Sequence, residues 1–297
     1  MKLPPGIALG VATHTGLVRS TNEDDYLIAA GGFDGSLLCA IADGMGGAAG
    51  GAEASRSALR AFSVAVLEPD AVASPESRIA TGFAAACRRV HVQASSVPAL
   101  ADMGTTLSAV LLAGEAAHLG HVGDTRVYRL RGGELVQLTQ DHALREPDNL
   151  LTRCIGGGQA NETPDIGSVQ LQRGDRLLLA SDGVWSVVPA PLLTRALATA
   201  EPQSAADQIV RAALAAGGPD NATAIVMAIG DSKAAVAVDL PREELARVVE
   251  LTRTARSLRR PAWPWLLLLV AMLLALVALA RWYRDLLPWP WLQALWT

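Results

Sequence analysis

Lysine is almost absent from this chain of 297 residues. It occurs only at Lys2 and Lys233, and arginine carries nearly all the positive charge. The bias reads as genomic and carries no functional weight. Cysteine is scarce too, with three residues at Cys39, Cys87 and Cys154. Their number is odd and no C-x-x-C spacing occurs, which argues against a disulfide framework and a zinc site and fits a reducing compartment. Cys39 lies in an apolar run and reads as core. No excess of basic charge exists: the formal net charge is −4, so electrostatics give no reason to expect nucleic acid as a partner. The start, MKLPPGIALG, has one lysine and no sustained apolar run, so no signal peptide is expected. With 51% hydrophobic and 18% charged residues, bulk disorder is excluded.

What is present is a series of short apolar runs punctuated by Gly and Asp. They predict strands over 7–13, 26–30, 37–42, 106–112, 116–122, 127–131, 134–138, 176–180 and 222–229. Arg131-Gly132-Gly133-Glu134 predicts a hairpin, because two glycines supply the positive φ of a tight primed turn. Ala-rich segments with apolar residues at three-to-four spacing predict helices over 51–66, 76–93, 192–199 and 204–216. Runs of strands with segregated helices predict an α+β fold with antiparallel sheets rather than a βαβ chain.

Composition changes after Asp231. Residues 232–240 read as a linker, and Pro241 followed by acidic residues is a helix start. Residues 265–280, WLLLLVAMLLALVALA, carry no charge. Counting the flanks to 262–283 reaches the roughly 20 residues a spanning helix needs. A buried core helix is the alternative reading, but no polar face exists for a soluble helix to show water. Arg253, Arg256, Arg259 and Arg260 precede the run, and Arg281 and Arg284 follow it. The positive-inside rule then places the N-terminal part in the cytoplasm. The expected organisation is a globular domain over 1–231, a linker and basic juxtamembrane segment over 232–260, one C-terminal transmembrane helix over 261–283, and a short extracytoplasmic tail over 284–297. The chain would sit at the cytoplasmic membrane with the lipid bilayer as one partner.

Five acidic motifs stand at the ends of apolar runs: Asn22-Glu23-Asp24-Asp25, Asp43-Gly44, Gly123-Asp124, Ser181-Asp182-Gly183 and Pro219-Asp220-Asn221. Any one alone is more simply a turn, as Asp34-Gly35 is. Together they place acids repeatedly at strand ends, where they can converge at one sheet edge. Carboxylates packed without compensation repel one another and are costly to desolvate. Hard cations remove that cost, and Mg²⁺ or Mn²⁺ prefers carboxylate, carbonyl and water oxygens. Two adjacent ions suit phosphoryl transfer. Gly44, Gly46 and Gly47 leave backbone free for close approach. Arg19, four residues before Glu23, is the candidate phosphate clamp.

In order, the chain contains GLVRSTNED from Gly16 to Asp24, ADGMGG from Ala42 to Gly47, MGTT from Met103 to Thr106, HVGDTRVY from His121 to Tyr128, LTQDH from Leu138 to His142, SDGVW from Ser181 to Trp185 and DNAT from Asp220 to Thr223. This set resembles the type 2C (PPM) metal-dependent Ser/Thr protein phosphatases in their bacterial form, over about three quarters of the chain. The resemblance implies a four-layer α-β-β-α sandwich of two antiparallel sheets. It also implies roles. Asp43 bridges two Mn²⁺ or Mg²⁺ ions, the Gly44 carbonyl binds the second, and Asp182 and Asp220 complete the first. Glu23 and Asp24 act on the second ion's waters, and Arg19 binds substrate phosphate. Asp124, with Asp182, holds a third and weaker ion in bacterial members. A metal-bridging hydroxide would hydrolyse phosphoserine or phosphothreonine without a phospho-enzyme. The implied partners are phosphorylated proteins, a Ser/Thr kinase and its substrates among them.

Two departures stand out. Met45 occupies the place where animal members carry a histidine proposed as general acid. Where members insert a helical flap after Asp141-His142, only residues 143–149 precede Leu150-Leu151-Thr152-Arg153. Two other readings are a non-catalytic phosphoprotein-binding module and a membrane scaffold. A degenerate member should lack Asp43, Asp182 or Asp220, and all are present.

Overall fold

A computed structural model of the chain describes residues 3–31, 35–68, 73–144, 150–158 and 162–230. The chain divides into two units, Met1–Val249 and Glu250–Thr297, and all the described residues belong to the first. The linker, basic segment, membrane span and tail expected after residue 231 lie outside the described residues, as do Asp34 and residues 145–149. Among the described residues no helix is long and apolar enough to cross a membrane.

The order of elements is β1 (Ile7–His14), β2 (Asp24–Gly31), β3 (Ser36–Met45), α1 (Gly47–Leu67), α2 (Pro75–Ser96), β4 (Gly104–Thr105), β5 (Leu107–Ala113), β6 (Ala116–Val122), β7 (Arg126–Arg131), β8 (Glu134–Gln137), β9 (Ala143–Leu144), β10 (Leu150–Leu151), β11 (Ile155–Gly156), β12 (Asp165–Gln170), β13 (Arg176–Ala180), α3 (Asp182–Trp185), α4 (Ala190–Thr199), α5 (Pro202–Ala215) and β14 (Ala222–Ile229). One sheet runs β1-β14-β13-β7-β8. The other runs β11-β4-β3-β5-β6-β12, with β2 also paired to β3. The pairing is antiparallel throughout.

Side chains alternate across each strand, and both faces of the central strands are apolar. Leu177 and Leu179 of β13 enter a core with Val127, Ile225 and Met227 of their own sheet and with Cys39, Ile41, Val110 and Leu119 of the other. Leu178 and Ala180 point the opposite way, into a second core with Leu197 of α4 and Ile209 and Val210 of α5. The first core is the filling between two sheets; the second joins one sheet to its covering helices. Helices α1 and α2 pack on β3 and β6 of the other sheet. Phe62 of α1 meets Phe83 of α2 edge-on at 5.1 Å.

The nine expected strands form with small shifts at their ends. The Arg131–Glu134 pair closes a hairpin in which Gly132 and Gly133 take φ of 57° and 87°, the sign a primed turn requires. The helices begin earlier than the apolar spacing indicates. For α2 the reason is a cap: Ser74 accepts from the Ser77 amide at 3.2 Å, with Pro75 in the first turn. Strand β12 was not expected. It is an edge strand on β6 with four consecutive exposed residues, so it has no apolar alternation to betray it. Where a helical flap would stand, β9 and β10 form a two-residue ladder with Leu144 opposite Leu150.

Phe62 is fully buried. Phe62→Ala should lower unfolding free energy by about 3–5 kcal/mol, measured by denaturant titration.

Candidate metal centre

Strand ends from both sheets meet at one edge. Asp24 opens β2 directly opposite Asp43 near the end of β3. Asp124 follows β6, Asp182 follows β13, and Asp220 precedes β14. The result is a cavity of about 470 Å³ lined by Arg19, Glu23, Asp43, Gly44, Asp124, Asp182 and Asp220, with Met45, Thr106, Leu151 and Asn221 among the other wall residues. Of the eight sequence-predicted site residues, seven reach its wall. Asp24 does not; it is buried behind the wall at 7% exposure.

The backbone at Asp43 is held firmly. Its N–H donates to Thr106 Oγ1 at 3.0 Å, and its carbonyl accepts from the Thr106 amide and the Thr105 hydroxyl, both at 2.9 Å. The next residue packs directly against α1: a Cβ on Gly44 would run into the Gly51 carbonyl oxygen, and one on Gly51 would sit 2.8 Å from Glu23 Cδ. Glycine at both positions lets strand, helix and Glu23 carboxylate close together. Arg19 Nη2 donates to Asp220 Oδ2 at 2.8 Å. Its guanidinium, half-exposed, keeps further N–H groups free in number for an anion.

Residues that the sequence reading gave no role hold the acids. Asn221 Oδ1 accepts from the Glu23 amide at 2.8 Å, while its Nδ2 donates to the Thr15 and Thr21 carbonyls at 2.7 and 2.9 Å. One side chain thus fixes the Arg19 loop and Glu23. Asp24 Oδ2 accepts from the Ser181 and Thr223 hydroxyls at 2.8 and 2.7 Å. Thr223 in turn lies 2.8 Å from the Thr13 hydroxyl, which accepts from Asn22 Nδ2 at 2.9 Å. Trp185 Nε1 donates to the Asp124 carbonyl at 3.0 Å. Asn22, Ser181, Trp185, Asn221 and Thr223 all belong to the quoted motifs, which was the available signal.

The electrostatics are those of crowded carboxylates. Asp43 is pushed well above the usual carboxylate range by burial, then by Asp24, Asp182, Asp124 and Asp220. Burial likewise raises Asp24, against the opposing hydroxyl hydrogen bonds from Thr223 and Ser181. Asp124 is pushed up to about 7 by burial, then by Asp182 and Asp141. Asp182 rises through burial and the neighbouring Asp220, and Glu23 rises through burial against the pull of Arg19.

Three buried oxygens, Glu23 Oε1, Asp24 Oδ1 and Asp182 Oδ1, have no hydrogen-bond partner among the described residues. Buried acceptors without donors are costly, and here they belong to the acids that repel one another. This donor set fits hard divalent cations. No three acidic, histidine or cysteine side chains among the described residues close tightly enough to enclose an ion alone. The carboxylates instead ring a cavity, which suits ions such as Mg²⁺ that keep several waters.

The family model described as protein phosphatase 2C matches residues 15–216. The serine/threonine protein phosphatase PstP of Mycobacterium tuberculosis is 35% identical over 236 residues; the match covers 73% of this chain and 44% of that protein, so the chain spans less than half of its length. Protein phosphatase PhpP of Streptococcus pneumoniae is 31% identical, with 73% of this chain and 95% of that protein covered. A crystal structure of the PstP catalytic domain in complex with two manganese ions superposes with a TM-score of 0.68 at 32% identity, covering 76% of this chain and 99% of that one.

Because the folded-state pKa values of Asp124 and its neighbours lie above their unfolded values, the folded state binds more protons at these five acids; burial lowers His121, to about 4, and His142, which act the other way but are fewer. Metal-free protein should therefore lose stability as pH rises from about 4, the unfolded carboxylate range, to about 7. Denaturant titration at pH 5 and pH 7.5 should read lower stability at pH 7.5, and Asp43→Asn should shrink the difference.

Proposed function

The chain belongs to the protein phosphatase 2C family, and from that premise we propose that it is an active metal-dependent phosphatase for phosphoserine and phosphothreonine in proteins. The observation that carries the proposal is the ring of mutually repelling carboxylates, with buried unpartnered oxygens, around a cavity that also holds Arg19. A module that only bound phosphoprotein would have no use for the complete set.

Asp43, the Gly44 carbonyl, Asp182 and Asp220 would hold two Mn²⁺ or Mg²⁺ ions, with Asp124 and Asp182 serving a third. Such ions, when bound, activate water near neutral pH and neutralise phosphate oxygens. The chain's own residues do the rest. Arg19 orients the phosphate through the guanidinium hydrogens that Asp220 leaves unused, so the Asp220 contact aims the clamp as well as anchoring it. Glu23 turns its carboxylate into the space opened by Gly51, where it can order water. Asp24 supports the wall from behind Asp43, held by Ser181 and Thr223. Met45 lines the cavity and carries no proton, so the leaving alkoxide is not protonated by it. Leu151 of β10, paired with β9, stands at the wall.

A C-terminal anchor completes the proposal. The uncharged run 265–280 with arginines before it supports a single span over 261–283, the domain over 1–231 facing the cytoplasm. Tethering raises local concentration near a membrane partner, and a membrane Ser/Thr kinase with its phosphorylated substrates is the partner class that benefits.

The full chain in detergent should release phosphate from phosphoserine and phosphothreonine peptides only with Mn²⁺ or Mg²⁺; absence of metal-dependent release would overturn the proposal. Asp43→Asn and Asp182→Asn should each lower kcat by about a hundred-fold or more, beyond the loss typical of a residue that merely supports a ligand, with the circular-dichroism spectrum unchanged. A reporter fused after Thr297 should read extracytoplasmic, and a cytoplasmic signal would refute the single span.

A further inference from the structure

The neighbouring side chains of Asp141 and His142 both lead to the backbone of the Gly123-Asp124 pair. Gly123, immediately before Asp124, is gripped by His142 at both of its backbone groups. The Gly123 N–H donates to His142 Nδ1 at 3.2 Å, and the Gly123 carbonyl accepts from the His142 N–H at 2.8 Å. Because Nδ1 accepts, the ring hydrogen sits on Nε2, where it donates to Asp165 Oδ2 at 2.9 Å. Asp165 is held from its other side by Arg153 Nη1 at 2.8 Å. The tautomer and the ring orientation are thereby fixed.

Asp141 reaches Asp124 by the other side. It takes Arg126 in a fork, at 2.9 Å to Nε and 2.6 Å to Nη2, and also accepts from Gln137 at 2.9 Å. Arg126 so held lies over the Trp185 ring, 3.4 Å from its centroid. Trp185 then donates to the Asp124 carbonyl at 3.0 Å. Trp185 also stands at the end of α3, whose first residue is Asp182. A single indole therefore ties the Asp182 helix to the Asp124 backbone.

We propose that Asp141 and His142 are positioning residues that clamp Asp124 from both sides, fixing its carboxylate relative to Asp182 so that the two can share a metal ion. The inference rests on the phosphatase reading above, in which Asp124 and Asp182 hold the third ion. The clamp touches only backbone groups of Gly123 and Asp124, which leaves the Asp124 carboxylate free for the cavity. It fixes this acid from the two residues that lead directly into β9. Arg153, just after β10, closes the same chain of bonds through Asp165 and His142.

The test uses the full chain in detergent and Mn²⁺ calorimetry, with Asp124→Asn defining which site is read. His142→Ala and Trp185→Phe should each weaken that site by about ten-fold or more and leave the remaining Mn²⁺ sites unchanged. Trp185→Phe keeps a ring beneath Arg126 and removes only the donor to Asp124. His142→Asn should restore affinity, because the Asn carbonyl oxygen can accept from the Gly123 amide as Nδ1 does. In metal-free protein, hydrogen exchange of the segment 121–126 should quicken in His142→Ala and not in His142→Asn. A purely structural role would lower melting temperature without moving the affinity of that one site, and that result would overturn the proposal. Unchanged affinity in both His142→Ala and Trp185→Phe would overturn it as well. If His142→Ala does not fold, Trp185→Phe carries the test alone. Loss of all Mn²⁺ binding in Asp43→Asn with these variants unaffected would leave the phosphatase reading standing and remove only this inference.

Discussion

Five carboxylates around one cavity repel one another, and the architecture at this edge of the molecule serves to keep them there. Glu23, Asp43, Asp124, Asp182 and Asp220 come from five separate stretches of chain. None could be held near the others by a flexible loop, because each would swing outward to water and relieve the repulsion. They are instead held through their backbone or through hydrogen-bonded neighbours. The Asp43 peptide is locked by Thr105 and Thr106, Glu23 by Asn221, and the Asp124 peptide by Trp185. The stability that drives this comes from elsewhere, chiefly the apolar filling between the sheets and under α4 and α5. Burial supplies free energy, and the polar frame directs it into holding like charges together.

Much of the fold was legible in the sequence for a simple reason. The central strands are apolar on both faces, so their runs stand out against the Gly and Asp that end them. The hairpin at Gly132-Gly133 was legible because its backbone signs permit few residues other than glycine. Strand β12 was not, since an exposed edge strand has no buried face to write a pattern. The two-residue strands β4, β9, β10 and β11 are set by their partners and have no local signal at all.

The acids were legible as a set, not as individuals. An Asp-Gly pair at a strand end is a turn until other acids are found to face it. Family resemblance ordered them, and the structure brings seven of the eight named residues to one wall. Asp24 shows where sequence reasoning runs out. Its motif points to the cavity, but it opens β2 opposite Asp43 with its side chain turned to Ser181 and Thr223. Those hydroxyls lie more than 150 positions away in the chain, and no local pattern announces such a pairing. The same holds for Asn221, whose three contacts are invisible until β1 and β14 lie side by side.

That pairing governs when the site can exist. Strand β1 lies against β14 with Ile7 opposite Ile229, and Asn221 reaches back 198 residues to Glu23 and 206 to Thr15. During synthesis the first acids leave the ribosome long before their staple does. Until the stretch 220–223 arrives, the Arg19 loop lacks the Asn221 staple, Arg19 lacks Asp220, and Asp24 lacks the Thr223 hydroxyl. Non-local contacts of this span form late because closing the loop costs entropy that only the finished contacts return. A nascent chain or a fragment cut short of β14 therefore lacks the hydrogen bonds that hold these acids together. The same strand order that brings the first and last strands together makes the assembled carboxylate edge a check on the completeness of the domain.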